Sequence, residues 1–203
     1  MEERLEAAYQ ALFEGDFDRA KDLEKSLEGQ SFERWNLQSY LAVEEQDFPR
    51  ARQSMEVYLE QAQAEDDKVH QHIAYHQLGY IARSEGDLET ALKWIETEAD
   101  FLREHFPEEH YRQSVNLYEQ GYLRLLLGDI AAAEKWMQQA LDYALEGKDL
   151  VNQGCAYRGL GEIKQAEGRL DQARDYFQQS KALFEQAEDF IGAEEVDEML
   201  SNL

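Results

Sequence analysis

Apolar residues recur along the chain at the three- and four-residue spacing of a helix face, and short polar breaks separate one such stretch from the next. The pattern predicts eleven helices, over 3–14, 17–28, 31–45, 48–64, 67–85, 88–105, 108–127, 130–146, 149–167, 170–187 and 190–201. The breaks near AEDD, FPEE, EGKD and AEDF are short and acidic, and Asp or Glu suits the positive end of a helix dipole. Pro49 and Pro107 are expected in first turns, where a missing N–H costs nothing. The last stretch, FIGAEEVDEMLSNL, is apolar at 190, 193, 196, 199 and 200. That spacing fits one more helix covering the end of a stack.

A short motif recurs between alternate helices. It reads GDFDRA at 15–20, QDFPRA at 46–51, GDLETA at 86–91, GDIAAA at 128–133 and GRLDQA at 168–173. The closing alanines are Ala20, Ala51, Ala91, Ala133 and Ala173, so the separations are 31, 40, 42 and 40. Each element has a physical task. The glycine can take the left-handed conformation that ends a helix. The Asp can accept backbone N–H groups at the start of the next helix. The apolar residue (Phe17, Phe48, Leu88, Ile130 or Leu170) is expected to pack under the turn. The alanine sits where two antiparallel helices cross closely, and a bulkier side chain there would cost about 1–3 kcal/mol by overpacking. Gln46 and Arg169 break the Gly-Asp signature.

Upstream of three of these turns run YHQLGYIA, LYEQGYLR and YRGLGEIK, with Gly79, Gly121 and Gly161 seven residues before the turn glycine. Ala8 and Ser39 fill that place in the first two units. An aromatic residue, Leu-Gly, Gly-Asp and Ala at fixed offsets resemble the tetratricopeptide repeat over almost the whole chain. Tyr75, Leu78, Gly79, Gly86 and Ala91 match that pattern best. Family repeats are usually about 34 residues long; three separations of 40 to 42 add roughly two helical turns per pair. The resemblance implies an all-α, right-handed superhelix (an α-solenoid) of about five antiparallel helix pairs, with a C-terminal capping helix. The units would cover 1–30, 31–66, 67–107, 108–148 and 149–189, with the cap at 190–203, in a single domain. Trp35, Trp94, Trp136 and Phe177 are expected in the core.

The resemblance also implies a site. The first helix of each pair would face a concave groove, presenting the positions three, six and ten before the turn glycine. Six before stand Tyr9, Tyr40, Tyr80, Tyr122 and Glu162; ten before, Leu5, Asn36, His76, Tyr118 and Arg158; three before, Leu12, Val43, Arg83, Leu125 and Gln165. The groove candidates are therefore Asn36, Tyr40, His76, Tyr80, Arg83, Tyr118, Tyr122, Arg158 and Glu162. A tyrosine offers a rigid apolar face and a hydroxyl, which binds partners at low entropic cost. The same rings could equally pack between adjacent first helices. The Lys and Asn with which some relatives hold a partner's C-terminal carboxylate are absent from the matching places.

Charge and chemistry narrow the function. The chain has 203 residues, 44 acidic and 20 basic, for a net charge of −24. Such a surface disfavours nucleic acid and anionic lipid and favours a basic or weakly polar partner. Only two prolines and abundant Ala, Leu, Glu, Gln and Lys argue against sheets. Cys155 is the single cysteine, which excludes an intrachain disulfide framework and suits a cytoplasmic setting. MEERLEAAYQ carries no signal-peptide pattern, and no run is long enough to span a membrane. His72 and His76 are four apart, but two imidazoles without a reinforcing carboxylate or thiol fall short of the ligands zinc usually takes. No phosphate loop or nucleophilic triad stands out. His105 and His110 are expected in an exposed loop, and Cys155 as a small inert residue. The expectation is a non-enzymatic scaffold without cofactor or metal, binding a peptide or helix of another protein. A ligand-sensing module of a bacterial regulator is the alternative, and self-association through a terminal repeat is possible.

Overall fold

The computed structural model describes residues 2–203. They form eleven helices and no strand: α1 (Glu2–Phe13), α2 (Phe17–Lys25), α3 (Phe32–Glu44), α4 (Phe48–Ala64), α5 (Lys68–Glu85), α6 (Leu88–His105), α7 (His110–Leu126), α8 (Ile130–Gly147), α9 (Leu150–Ala166), α10 (Leu170–Gln186) and α11 (Phe190–Ser201). Predicted and observed ends agree to within three residues. By packing, the chain divides into two compact units, one ending at Trp94 and the other running from Ile95 to Leu203.

The turns explain why the helices stop where they do. Gly86 ends α5 at φ +90°, and its N–H bonds back to the Arg83 carbonyl at 3.0 Å. Asp87 then accepts the Thr90 N–H at 3.0 Å and starts α6. Asp16, Asp47 and Asp129 cap α2, α4 and α8 in the same way. Asp67, Asp149 and Asp189 do so for α5, α9 and α11. Gln46, where the motif lacks glycine, still adopts φ +58°; the left-handed turn is imposed there at a cost of roughly 1–2 kcal/mol. Arg169 provides no side-chain cap.

Two details differ from the sequence reading. Pro107 lies in the turn ahead of α7, outside the helix. Of the apolar residues after the turn, Phe48 and Ile130 pack against core clusters as expected, but Phe17 and Leu170 cover the lip of the turn instead, 37 % and 45 % exposed. They open their helices, and a first-turn side chain reaches the helix seam less well than the alanine three residues on. All five closing alanines are completely buried.

In the first unit, Ala8, Ala11, Ala20, Leu37 and Leu41 form one core cluster. Trp35, Met55, Tyr58, Leu78 and Ile81 form another, with Trp94 at its edge. The leading helices α1, α3 and α5 touch in succession. In the second unit, Leu117, Met137, Leu141, Leu160 and Ile163 pack together, with Trp136 at the margin. Phe177 and Phe184 join Ala193 and Val196 of α11 in a further cluster. Gly161 matters here for space: a Cβ at that position would come within 2.5 Å of the Phe177 ring. Helix α7 also carries a buried polar ladder. Asn116 Nδ2 donates to Glu98 Oε2 and to the Ile95 carbonyl, both at 2.9 Å, while Gln120 Nε2 donates to Asn116 Oδ1 at 2.9 Å.

Candidate partner-binding face

All nine predicted site residues are partly buried, neither sealed in a core nor fully open. Each lies on a leading helix, α3, α5, α7 or α9, and each unit organises its own share.

In the first unit, polar and ring contacts run from helix to helix. Tyr9 Oη donates to the Glu33 carbonyl at 2.7 Å. Asn36 lies beside Tyr9, and its Oδ1 is buried without a hydrogen-bond donor. Gln77 Nε2 donates to Tyr40 Oη at 2.7 Å, and the Tyr40 ring lies tilted against Tyr80, centroids 5.8 Å apart. The Arg83 guanidinium sits 5.6 Å over the Tyr80 ring, within cation–π range. Burial pushes the Tyr9 and Tyr40 phenols up, so both stay protonated donors. These rings pack between leading helices, and the residues stay partly exposed at the same time.

In the second unit, Tyr118 and Tyr122, one turn apart on α7, stack at 6.1 Å with an interplanar angle of 7°. Arg158 of α9 donates to Tyr118 Oη at 3.2 Å and to Glu195 Oε2 of α11 at 2.6 Å. Glu162 lies one turn beyond Arg158. Burial raises its carboxyl above the ordinary glutamate value, against the opposing pull of Arg158, and Glu195 adds to the rise. The folded state therefore holds this proton more tightly than the unfolded chain. The site adds stability below the ordinary glutamate pKa and loses it as pH rises through the folded value. Glu162→Gln is accordingly expected to stabilise the protein at neutral pH, by something on the order of 1 kcal/mol. The gain should fade on acidification below the ordinary glutamate range. Urea titrations of both proteins at neutral pH and under acid conditions read this directly.

Sequence reasoning missed two participants, Gln77 and Glu195. Each lies 37 positions after the site residue it binds, Tyr40 and Arg158 respectively. That offset is close to one repeat, and it was the available signal. The histidines resolve separately. His70 stacks on Phe32 at 3.9 Å and shares a 2.6 Å hydrogen bond with Tyr58 Oη. His105 closes α6 against Phe101, and His110 opens α7 against Tyr143, so neither lies in an open loop; each ring finds an aromatic neighbour one turn away or across the pair. Among the described residues, no group of three or more His, Cys, Asp and Glu side chains could hold a metal ion. Cys155 packs beside the Phe177 cluster, and burial pushes its thiol up, the reverse of what a reactive thiolate needs.

A cleft of about 640 Å³ opens elsewhere in the first unit, lined by Asp18, Lys21, Lys25, Gln38, Glu45 and Arg50. Its lysines are already paired, Lys21 with Asp18 at 3.0 Å and with Glu45 at 3.4 Å. It offers no aromatic anchor. No helix among the described residues is long and apolar enough to cross a membrane.

Helix pairs joined by capped Gly-Asp turns and locked by buried alanines define a helical-repeat protein. Residues 72–97 and 113–186 each match sequence models of the tetratricopeptide repeat. Over those two stretches the chain carries tetratricopeptide repeats. No curated protein sequence matches it significantly. Among solved structures it is similar to a signal transduction ATPase with numerous domains, bearing a tetratricopeptide repeat sensor, from Pyrococcus horikoshii. That match has a TM-score of 0.74 at 17% identity and covers 95% of this chain and 31% of that one. The chain thus spans about a third of that protein. It is also similar to BtubC from P. vanneervenii, with a TM-score of 0.68, 17% identity and 99% and 89% coverage. A kinesin light chain with repeats of this type from Podosopora anserina matches at 0.65, 16% identity and 93% and 96% coverage. The tetratricopeptide repeat fold typically serves as a scaffold for protein–protein interaction and is generally non-catalytic.

Proposed function

We propose that the chain is a non-catalytic scaffold that binds a peptide or helix of a partner protein along the tyrosine-bearing faces of its leading helices. The observation behind this reading is the state of the rings. Tyr40, Tyr80, Tyr118 and Tyr122 are held by stacking or hydrogen bonds and yet each residue stays partly exposed. Such pre-set aromatic residues bind with little further loss of entropy. His76, Arg83 and Asn36 supply polar direction in the first unit, and Arg158 and Glu162 in the second.

The charge balance suggests the partner's chemistry. Arg34, Arg50, Arg52, Arg124, Arg158, Lys164 and Lys181 already face carboxylates of the chain itself. The remaining excess is negative, which favours a basic amphipathic segment and speeds its encounter.

The test is the double variant Tyr80→Ala, Tyr122→Ala. Truncating an interface tyrosine typically costs about 2 kcal/mol or more, so capture of the partner identified with the native protein should fall well over tenfold. Helicity by circular dichroism should stay intact. Undiminished capture would reject the face. A second reading, a ligand-sensing module of a larger regulator, is prompted by likeness to the P. horikoshii protein with its repeat sensor. Small-angle scattering with and without candidate peptides separates the two, because a switch changes dimensions on binding and a static scaffold does not.

A further inference from the structure

Helix α11 is held in an unusual way. It buries only Gly192, Ala193 and Val196 outright, with Met199, Leu200 and Leu203 packed partly buried against the same cluster. At its start Phe190 and Ile191 are 71 % and 75 % exposed. Two ion pairs fasten it as well. Glu195 accepts from Arg158 of α9 at 2.6 Å, and Asp197 accepts from Lys181 of α10 at 2.6 Å. An element with few fully buried residues and a few clasps opens at lower free energy than the helices beneath it. Two edges of the Arg158 guanidinium are occupied, one by Tyr118 Oη and the other by the Glu195 carboxylate. A planar guanidinium with a phenol on one side is well suited to receive a carboxylate on the other.

We propose that α11 is a displaceable cap whose Glu195 fills a carboxylate-accepting subsite formed by Arg158 and Tyr118, so that a carboxylate side chain of a partner segment enters only when α11 leaves. The cap gives Arg158 an internal occupant, and a partner must compete with that occupant. Leaving also uncovers Cys155, which packs in the same cluster as Ala193 and Val196. The single thiol is therefore a built-in reporter. The inference rests on the scaffold reading, whose second-unit site it specifies, but it is tested with no native partner present.

Hydrogen exchange by mass spectrometry on the full chain is the primary measurement. Glu195→Gln and Arg158→Gln should each speed exchange of the α11 amides several-fold, roughly the effect of removing one partly buried ion pair. The double variant should exchange no faster than either single one, and α7 to α10 should keep their protection. Asp197→Asn should raise the labelling rate of Cys155 by a neutral thiol reagent; this position is chosen because Glu195 itself acts on the thiol. An acetylated synthetic peptide of residues 188–203, added at millimolar concentration, should accelerate α11 exchange in the native chain, and the same peptide with Gln in place of Glu195 should not. Unchanged α11 protection in both clasp variants overturns the proposal. So does parallel loss of protection throughout the second unit, or equal action of the two peptides.

Discussion

Phe177→Ala is expected to be among the most damaging single changes, costing about 3–5 kcal/mol of folding stability. The ring is completely buried. It fills the space that Gly161 leaves open, touching the place where a Cβ would stand 2.5 Å away. It also joins Ala173, Phe184, Ala193 and Val196 in one cluster, so three successive helices lose a common partner when it goes. The glycine gap cannot collapse onto the missing ring, because Ser180, itself completely buried, ties α10 to α9 through its bond to the Gly154 carbonyl at 2.7 Å. A cavity that cannot relax lies at the upper end of the range. Urea unfolding followed by circular dichroism measures the loss, and a cost under about 1 kcal/mol would mean that the gap closes after all. The reciprocal change, Gly161→Val, should destabilise for the opposite reason, overpacking the same contact.

This pair also shows what a sequence can disclose. Gly161 and the closing alanines declare themselves because a repeat places small residues at a constant offset, and close helix crossing is the physical demand that keeps them small. The Gly-Asp turns declare themselves through the left-handed cap and the Asp side chain that follows. The imposed turn at Gln46 shows that the repeat geometry survives even where the preferred residue is missing. Side-chain direction was legible only in part: the nine candidates lie partly exposed on leading helices, but the same count also reached Leu12 and Val43, three before the turn, which are buried in the core. The partners of those residues were not legible. Glu195 is one of 44 acidic side chains, and only the fold singles it out by bringing α11 to Arg158. Gln77 is likewise an ordinary helical glutamine until its amide meets Tyr40. Apolar pattern and turn chemistry are local and periodic, whereas a hydrogen bond between repeats depends on where two helices come to rest.

The polar ladder of α7 is the feature least foreseen, and it carries the other large effect. Asn116→Leu should cost about 2–4 kcal/mol, although the side chain is replaced by one of similar size. Asn116 is 2 % exposed and Glu98 1 %. The amide gives Glu98 a donor at 2.9 Å, gives another to the Ile95 carbonyl and accepts from Gln120. Leucine withdraws all of these at once and leaves a buried carboxylate short of a donor, which costs far more than a net hydrogen bond contributes. The ladder continues outward, with Arg124 donating to Gln120 Oε1 at 3.3 Å and to Glu96 at 2.8 Å, and its guanidinium 4.6 Å over the Trp136 ring. The damage should therefore spread along α7 instead of staying at one contact. A double-mutant cycle decides the mechanism. If the buried carboxylate is the main cost, Glu98→Leu combined with Asn116→Leu will be more stable than the sum of the single losses implies, by at least about 1 kcal/mol. Strict additivity would mean that Glu98 finds another donor when Asn116 is removed. A coupled result would identify a ladder that sets the register of α7 against the middle of α6. An apolar seam could slide by a turn there, whereas paired donors and acceptors meet in only one alignment.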